Sequence, residues 1–468
     1  MSVPLNCATA ESLALARDPI LAEQALEVDK AREKLRDVEM QAILPTFQVT
    51  TGMGPAPGLR NDPDTTSLHA FSSGTNGGPA PGTSGYLGTS VYQVQQEYDF
   101  SEWGPFFGVE AEVVQPLNIA RFRAGKQASE RQIDVSSADF QKQRLDVSEQ
   151  AQTLYYQRLF ALTMRGVLDS AQRNLDDAQK KLSKQLDEGT EGVSQTDLLQ
   201  IKAGRFTLDQ GMNEAVLGVA RTDLGLRFLL AWSDSGEIPL ADSILTMRPE
   251  VVPSLDSLKF FTLRDHPDLK RLQNGLAARQ ELLKVAQGEL GPDIFLFGSF
   301  TYTKAWTSNR QSEESNNPFE VDPLNQITGL AGLGIKLQLN FWERYQDYRK
   351  ARLDLRQLQR TEVYAARGLL IQVEDAYAQM LKSRADIDEA QNSMRAAEAW
   401  LKGVAMKYDL DPSTSKDLIA PYKQSITAQR DYYQAVLDYN IAVAHLFKAV
   451  GWTLPDYFHS LTGSKAGG

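Results

Sequence analysis

Side chains able to do chemistry are thinly spread in this chain, and those that stand close together are carboxylates. Asp409 and Asp411 fall in a turn between two long helical stretches, and Asp417 stands at the start of the second stretch, where the helix dipole favours an acid. Glu110 and Glu112 alternate with apolar residues, which puts both on one side of a strand, and Lys336 holds a comparable place in a later strand. None of these sets is a catalytic constellation. His69, His266, His445 and His459 occur singly, without the His-Glu-x-x-His pairing that holds zinc. Gly329, Gly332 and Gly334 lie within an alternating strand and do not open a helix, so they fail as a phosphate loop. Cys7 is the only cysteine, which excludes a disulfide within one chain and argues against a cysteine-based zinc site. No cofactor is expected. The carboxylates are left with electrostatic work on ions and water.

The elements that must position them change period several times. Ala10 to Ala42 carries apolar residues at helical spacing and reads as one amphipathic helix ending before Pro45. Phe47, Val49, Thr51 and Met53 then alternate with Gln48, Thr50 and Gly52, a strand of period two. Gly54 to about Gly88 is rich in Gly, Pro, Ser and Thr and reads as a long loop. Alternation resumes with Phe107, Val109, Ala111 and Val113 and ends near Pro116. Arg121 to Leu186 is helical in composition and would extend about 100 Å. A glycine-containing turn follows, after which Ser194 or Thr196 caps a helix running to Trp232.

The same order then returns. Arg17-Asp18-Pro19-Ile20 recurs as Asp265-His266-Pro267-Asp268, Pro45-Thr46-Phe47 as Pro292-Asp293-Ile294-Phe295, and Asp197-Leu198-Leu199 as Asp417-Leu418-Ile419. In the second copy Ile294 to Thr303 alternates. A polar loop and a returning strand follow, the strand with Ala331, Leu333, Ile335, Leu337, Leu339 and Phe341 on one side. A long helix from Glu343 to Tyr408 and a return helix from Asp417 to Val450 complete it. The expected organisation is a first repeat over 9–232, a linker over 233–256, a second repeat over 257–452 and a tail over 453–468.

Composition narrows the function classes. The 468 residues carry a formal net charge of −11, which gives no basic excess for nucleic acid. No run of about 18 apolar residues is present, which removes a transmembrane helix and leaves a barrel open, because barrel strands give only a weak alternating signal. The first residues show no basic stretch followed by an apolar segment, and Met1 to Cys7 does not fit a lipoprotein site. That favours the competing reading, a soluble coiled-coil scaffold. The four alternating strands oppose it. Each is about long enough to cross a membrane at a tilt, with one apolar and one small or polar face. Four strands cannot close a barrel, and open edges are not viable in lipid, so the edges must pair with further copies of the chain.

In the order and duplication of these motifs, down to the closing Gly451-Trp452, the chain resembles the TolC family of outer-membrane efflux proteins over nearly its whole length. The resemblance implies an α+β membrane protein of long coiled-coil helical hairpins with four transmembrane β-strands per chain. As a homotrimer it would complete a 12-stranded barrel and a helical tunnel. It also implies a passive channel reaching from the outer membrane into the periplasm. Its partners would be a periplasmic adaptor, an inner-membrane pump and outer-membrane lipid, in efflux of small molecules, drugs or metal ions or in protein secretion. Family members can place an acidic ring at the tip, formed by an Asp at the start of the last helix and another three residues later. Asp417 matches the first position and Ala420 occupies the second, so Asp409 and Asp411 become alternative sources of tip acidity. Glu110, Glu112 and Lys336 would face the lumen, and Gly189, Gly192, Val193, Ser194 and Leu410 would meet the adaptor.

Overall fold

The two halves of the chain lay down the same order of elements. A computed structural model describes residues 4–61, 96–188, 194–233, 236, 238–307, 324–337, 339–410 and 419–457. In the first half α1 (Cys7–Arg17) and α2 (Pro19–Ile43) lead to β1 (Thr46–Asn61) and β2 (Gln96–Pro116), followed by α3 (Ile119–Asp187) and α4 (Gln195–Leu229). In the second, α5 (Leu255–Asp265) and α6 (Pro267–Gly288) lead to β3 (Asp293–Ala305) and β4 (Gln326–Lys336), then α7 (Phe341–Leu410) and α8 (Ile419–Val450). Two compact units result: a helical one of Met1–Lys34, Gln127–Glu281 and Ala351–Gly468, and a sheet-bearing one of Leu35–Lys126 and Leu282–Lys350. Among the described residues no helix is long and apolar enough to cross a membrane.

In the sheet-bearing unit the strands form one antiparallel sheet in the order β1-β2-β3-β4. β1 runs through Pro55 and Pro57 to Asn61, where a loop was expected from Gly54 onward, with a register shift between Pro57 and Gly58. An edge strand tolerates proline, because the missing N–H can fall on the unpaired side. β2 likewise takes in Tyr98 and Trp103, ahead of the expected strand. The returning strand is shorter than its alternation suggested. Lys336 pairs with Asp293, the first residue of β3, so beyond it no ladder partner remains, and Phe341 opens α7. At the other end Trp306 N–H donates to Pro105 O at 2.9 Å, and a Cβ at Gly104 would collide with the Trp306 carbonyl.

The helical unit corrects the opening segment from one helix to two. Pro19 removes a backbone donor and disfavours helical geometry in the residue before it. Asp18 is accordingly extended, at φ −60 and ψ 125, and its Oδ1 caps the next helix by accepting from Ile20 N (2.9 Å) and Leu21 N (3.0 Å). His266 repeats the break at φ −60 and ψ 129, and its Nδ1 accepts from Asp268 N at 3.1 Å. The returning helices also end alike. α4 stops at Leu229, short of the expected Trp232; Ala231 turns left-handed at φ 45 and Trp232 N–H reaches back to Arg227 O at 2.9 Å. After α8, Gly451 adopts φ 91 and Trp452 N–H reaches Phe447 O at 2.8 Å, the same cap.

Apolar side chains of α8, including Val436, Val443, Leu446 and Phe447, pack against Tyr155 and Leu159 of α3 and Val373, Ala376 and Met380 of α7. Ion pairs order the layer beside this core. Lys142 of α3 meets Asp268 of α6 at 3.0 Å, and Arg279 of α6 meets Asp354 of α7 at 3.5 Å.

Candidate functional site

The sheet separates its side chains by chemistry. On one face Phe47, Val113, Gly298 and Ala331 stand in register, then Val49, Ala111, Phe300 and Gly329, then Thr51, Val109, Tyr302 and Ile327. This face is open at its outer strands, with Phe47 70% exposed, Met53 83% and Ile327 71%, and half-exposed at Val109, Ala111 and Val113 between them. Isolated in water, a patch of this kind marks an interaction surface.

The opposite face holds the candidate carboxylates. Glu110 lies between Thr50 and Thr301, with Thr328 beyond, and Glu112 lies between Gln48 and Ser299. Both are exposed, and two residues of strand separate them by about 7 Å. Lys336 shares this face by register, at the end of the sheet from which the helices leave. Leu330 breaks the polar pattern. Phe295 and Phe297 do so less than their type suggests, because each ring lies over a glycine of β4: a Cβ at Gly334 would fall 2.5 Å from the Phe295 ring, and one at Gly332 would fall 3.2 Å from Phe297. Two of the three glycines that fail as a phosphate loop, Gly332 and Gly334, thus serve cross-strand aromatic packing.

At the helix-bearing end of the sheet, Asp293 collects donors from two helices. Asn118 Nδ2 donates at 2.7 Å, Arg121 Nη1 at 2.8 Å and Arg344 Nη2 at 3.5 Å, while Arg344 also donates to the Glu289 and Gly291 carbonyls. The sequence reading missed this cluster. Asn118-Ile119 recurs as Asn340-Phe341 at each helix start, which was the available signal.

A second cluster in the helical unit was also missed. Glu11 is fully buried, and its carboxylate accepts from Ser148 Oγ (2.5 Å), Gln152 Nε2 (3.2 Å) and Leu454 N (3.0 Å). Burial pushes its pKa above the usual carboxylate range, and the Ser148 and Leu454 bonds draw it partly back. Arg248, from the segment expected to be a linker, donates to Gln152 Oε1 at 3.0 Å and Glu250 Oε2 at 2.9 Å, and its guanidinium lies 5.2 Å from the Phe447 ring centre. Cys7 lies in the same region, and burial pushes its thiol up to about 12, which keeps it protonated and unreactive. The hydrogen bonds of this cluster fasten the linker and the C-terminal turn to α3.

The tip residues are mostly outside the described residues: Gly189, Gly192, Val193, Asp411 and Asp417 all are. Asp409 and Leu410 close α7, and Ser194 stands exposed just before α4.

No family model matches the sequence, and no curated protein does. Solved structures do match. The CmeC outer membrane channel of Campylobacter jejuni superposes with a TM-score of 0.69 at 16% identity, covering 98% of this chain and 88% of that one. The chain has the fold of an outer-membrane channel. The MtrE outer membrane channel of Neisseria gonorrhoeae, determined in its open state, gives 0.65 at 15% identity, covering 96% of this chain and 89% of that one. The outer membrane protein VceC of Vibrio cholerae gives 0.66 at 14%, covering 95% and 96%. Within this channel fold, the face bearing Glu110, Glu112 and Lys336 lies opposite the apolar face.

Proposed function

We propose that this protein is an outer-membrane channel of the TolC type, conducting solutes passively in a tripartite efflux or type I secretion system. The observation that carries the reading is the sheet itself. Among the described residues it has two outer strands paired on one side only, an uncovered apolar face and a polar face with charged groups. Lipid against the apolar face and water against the polar one satisfy both, provided the edges close. Three copies would close them as twelve strands, each copy contributing the repeats 9–232 and 257–452. A soluble scaffold leaves the apolar face in water and is disfavoured.

In this reading Glu110, Glu112 and Lys336 line the lumen. The helical tips form the gate, with Asp417, Asp409 and Asp411 as its acids, and Gly189, Gly192, Val193, Ser194 and Leu410 meet an adaptor that links the channel to an inner-membrane pump. Three copies of one carboxylate at a constriction favour cations and offer a divalent ion a site. The channel has no chemistry of its own. Extraction of the full-length protein in detergent, followed by mass determination, should give a trimer; a monomer soluble without detergent would overturn the proposal. In planar bilayers Asp417→Ala should weaken block by divalent cations, and unchanged block removes Asp417 from the gate.

A further inference from the structure

α7 carries a line of arginines that the reading above leaves without a task. Arg352, Arg356 and Arg360 recur at four-residue spacing, all exposed, and none forms an ion pair among the described residues. Like charges one turn apart oppose helix formation unless a counter-charge is supplied. Their direction is fixed by the rest of the helix. Leu358 packs on Gly275 of α6, Asp354 pairs with Arg279 of α6, and Leu369, Val373 and Ala376 continue the buried stripe. At 3.6 residues per turn the arginines fall on the side away from that stripe. Leu353 and Val363, 58% and 53% exposed, lie beside them.

The opposite charge stands on α2. Its buried stripe is Leu21, Val28 and Ala31, and away from it the exposed surface carries Glu23, Leu26, Asp29 and Glu33, with Lys30 among them paired to Glu27. Asp29 also meets Arg32 at 2.7 Å, an exposed pair within one turn and therefore weak. α2 precedes the first strand of the sheet and α7 follows the last, so the two helices adjoin the two open edges in chain order. Counted from their sheet-side ends, Ile43 and Phe341, the charges fall at matching depths: Glu33 with Arg352, Asp29 with Arg356, Glu23 with Arg360.

We propose that the arginine stripe of α7 docks on the acidic stripe of α2 in a second copy of this chain, an electrostatic zipper that sets the order and register of protomers. It rests on the oligomeric channel reading. A contact between unlike surfaces of identical chains propagates head to tail, and it closes into a ring when the rotation between copies is a whole fraction of a turn, as the channel reading requires. Arginine suits it, being always charged and able to bond a carboxylate through two N–H groups. Leu26 and Leu353 supply apolar surface beside the charges.

The test uses the full chain in detergent, with oligomer mass and melting temperature followed against salt. Joint substitution Arg352→Glu, Arg356→Glu and Arg360→Glu should weaken assembly about tenfold at low salt. Glu23→Lys, Asp29→Lys and Glu33→Lys should do the same, and combining both sets should restore assembly. Arg352→Gln, Arg356→Gln and Arg360→Gln, which keeps helix propensity, should give an intermediate loss and flatten the salt dependence. Unchanged assembly in the single-sided variants, or failure of the combined variant to recover while its helix content is intact, overturns the zipper. If assembly is unchanged but the arginine variants lose binding to anionic vesicles, the stripe meets lipid and the proposal falls. A parent protein that is itself monomeric refutes the channel reading instead, so the two failures are distinguishable.

Discussion

Exchanging the residues that close the two returning helices should move stability in opposite directions. Ala231 and Gly451 occupy the same place in the two caps, with φ 45 and φ 91. A left-handed alanine carries about 1–2 kcal/mol of strain. Glycine there relieves it and loses roughly 0.5–1 kcal/mol through the greater freedom of the unfolded chain. Ala231→Gly should therefore gain about 0.5–1 kcal/mol, and it gives up no packing because Ala231 is exposed. Gly451→Ala takes on the strain and adds a clash. Its Cβ would lie 3.1 Å from His266 Cδ2 and 3.2 Å from both His266 Cα and Pro267 Cδ. His266 Cα and Pro267 Cδ belong to the backbone and a rigid ring, so crowding of the kind that costs about 1–3 kcal/mol adds to a net strain of about 0.5–1 kcal/mol, for a total of about 1.5–4 kcal/mol. Thermal melts of the full-length protein in detergent, at one fixed protein concentration because association contributes, should rank Ala231→Gly above the parent and Gly451→Ala below it. A melting temperature for Ala231→Gly at or below the parent's would refute the reasoning, since nothing else in the exchange is expected to matter.

Burial holds the pKa of His266 down, and its Nδ1 accepts the Asp268 N–H only when unprotonated. Its contribution is fully present above the unfolded histidine value of about 6.5 and falls as pH drops toward the folded value. Melts between pH 7 and pH 5 should show the parent losing more stability than His266→Asn, which keeps an acceptor; equal slopes would remove His266 from the acid response. His445, raised by its bond to Glu149, has the opposite sign: its contribution is present below about 6.5 and fades as pH rises through the folded value. Gly104→Ala should sharply lower the yield of assembled protein, because the Trp306 carbonyl occupies the space; normal assembly would contradict the β2–β3 geometry. Glu110→Gln with Glu112→Gln should reduce cation selectivity in reversal-potential measurements, and no change would place these groups outside the ion path.

The sheet was legible because its two faces differ, most clearly in β2. The register confirms that Val109, Ala111 and Val113 turn one way and Glu110 and Glu112 the other. The helices were legible from long stretches free of proline. Their breaks were harder, since Asp18-Pro19 lies inside apolar spacing that continues on both sides, and periodicity alone reads through it. Pro55 and Pro57 misled in the other direction, being turn residues in general, yet they extend an outer strand up to the point where its ladder shifts register. Glu11 and Arg248 could not be read at all, and Asp293 only through the Asn118 and Asn340 helix starts beside it. A charged residue becomes a buried anchor only through partners elsewhere in the chain, and Ser148, Gln152 and Leu454 carry no local mark of that role.

The buried carboxylate of Glu11 also bears on the order in which the protein is made. Leu454, one of its three donors, lies 443 residues downstream. Of the described helices α1 is made first, and it cannot complete its anchorage until Leu454 has been added. Until then an acid destined for the interior stays in water, and docking α1 early would bury it short of a donor. An anchor that joins Glu11 to Leu454 therefore closes the helical unit only after every element between them has been made.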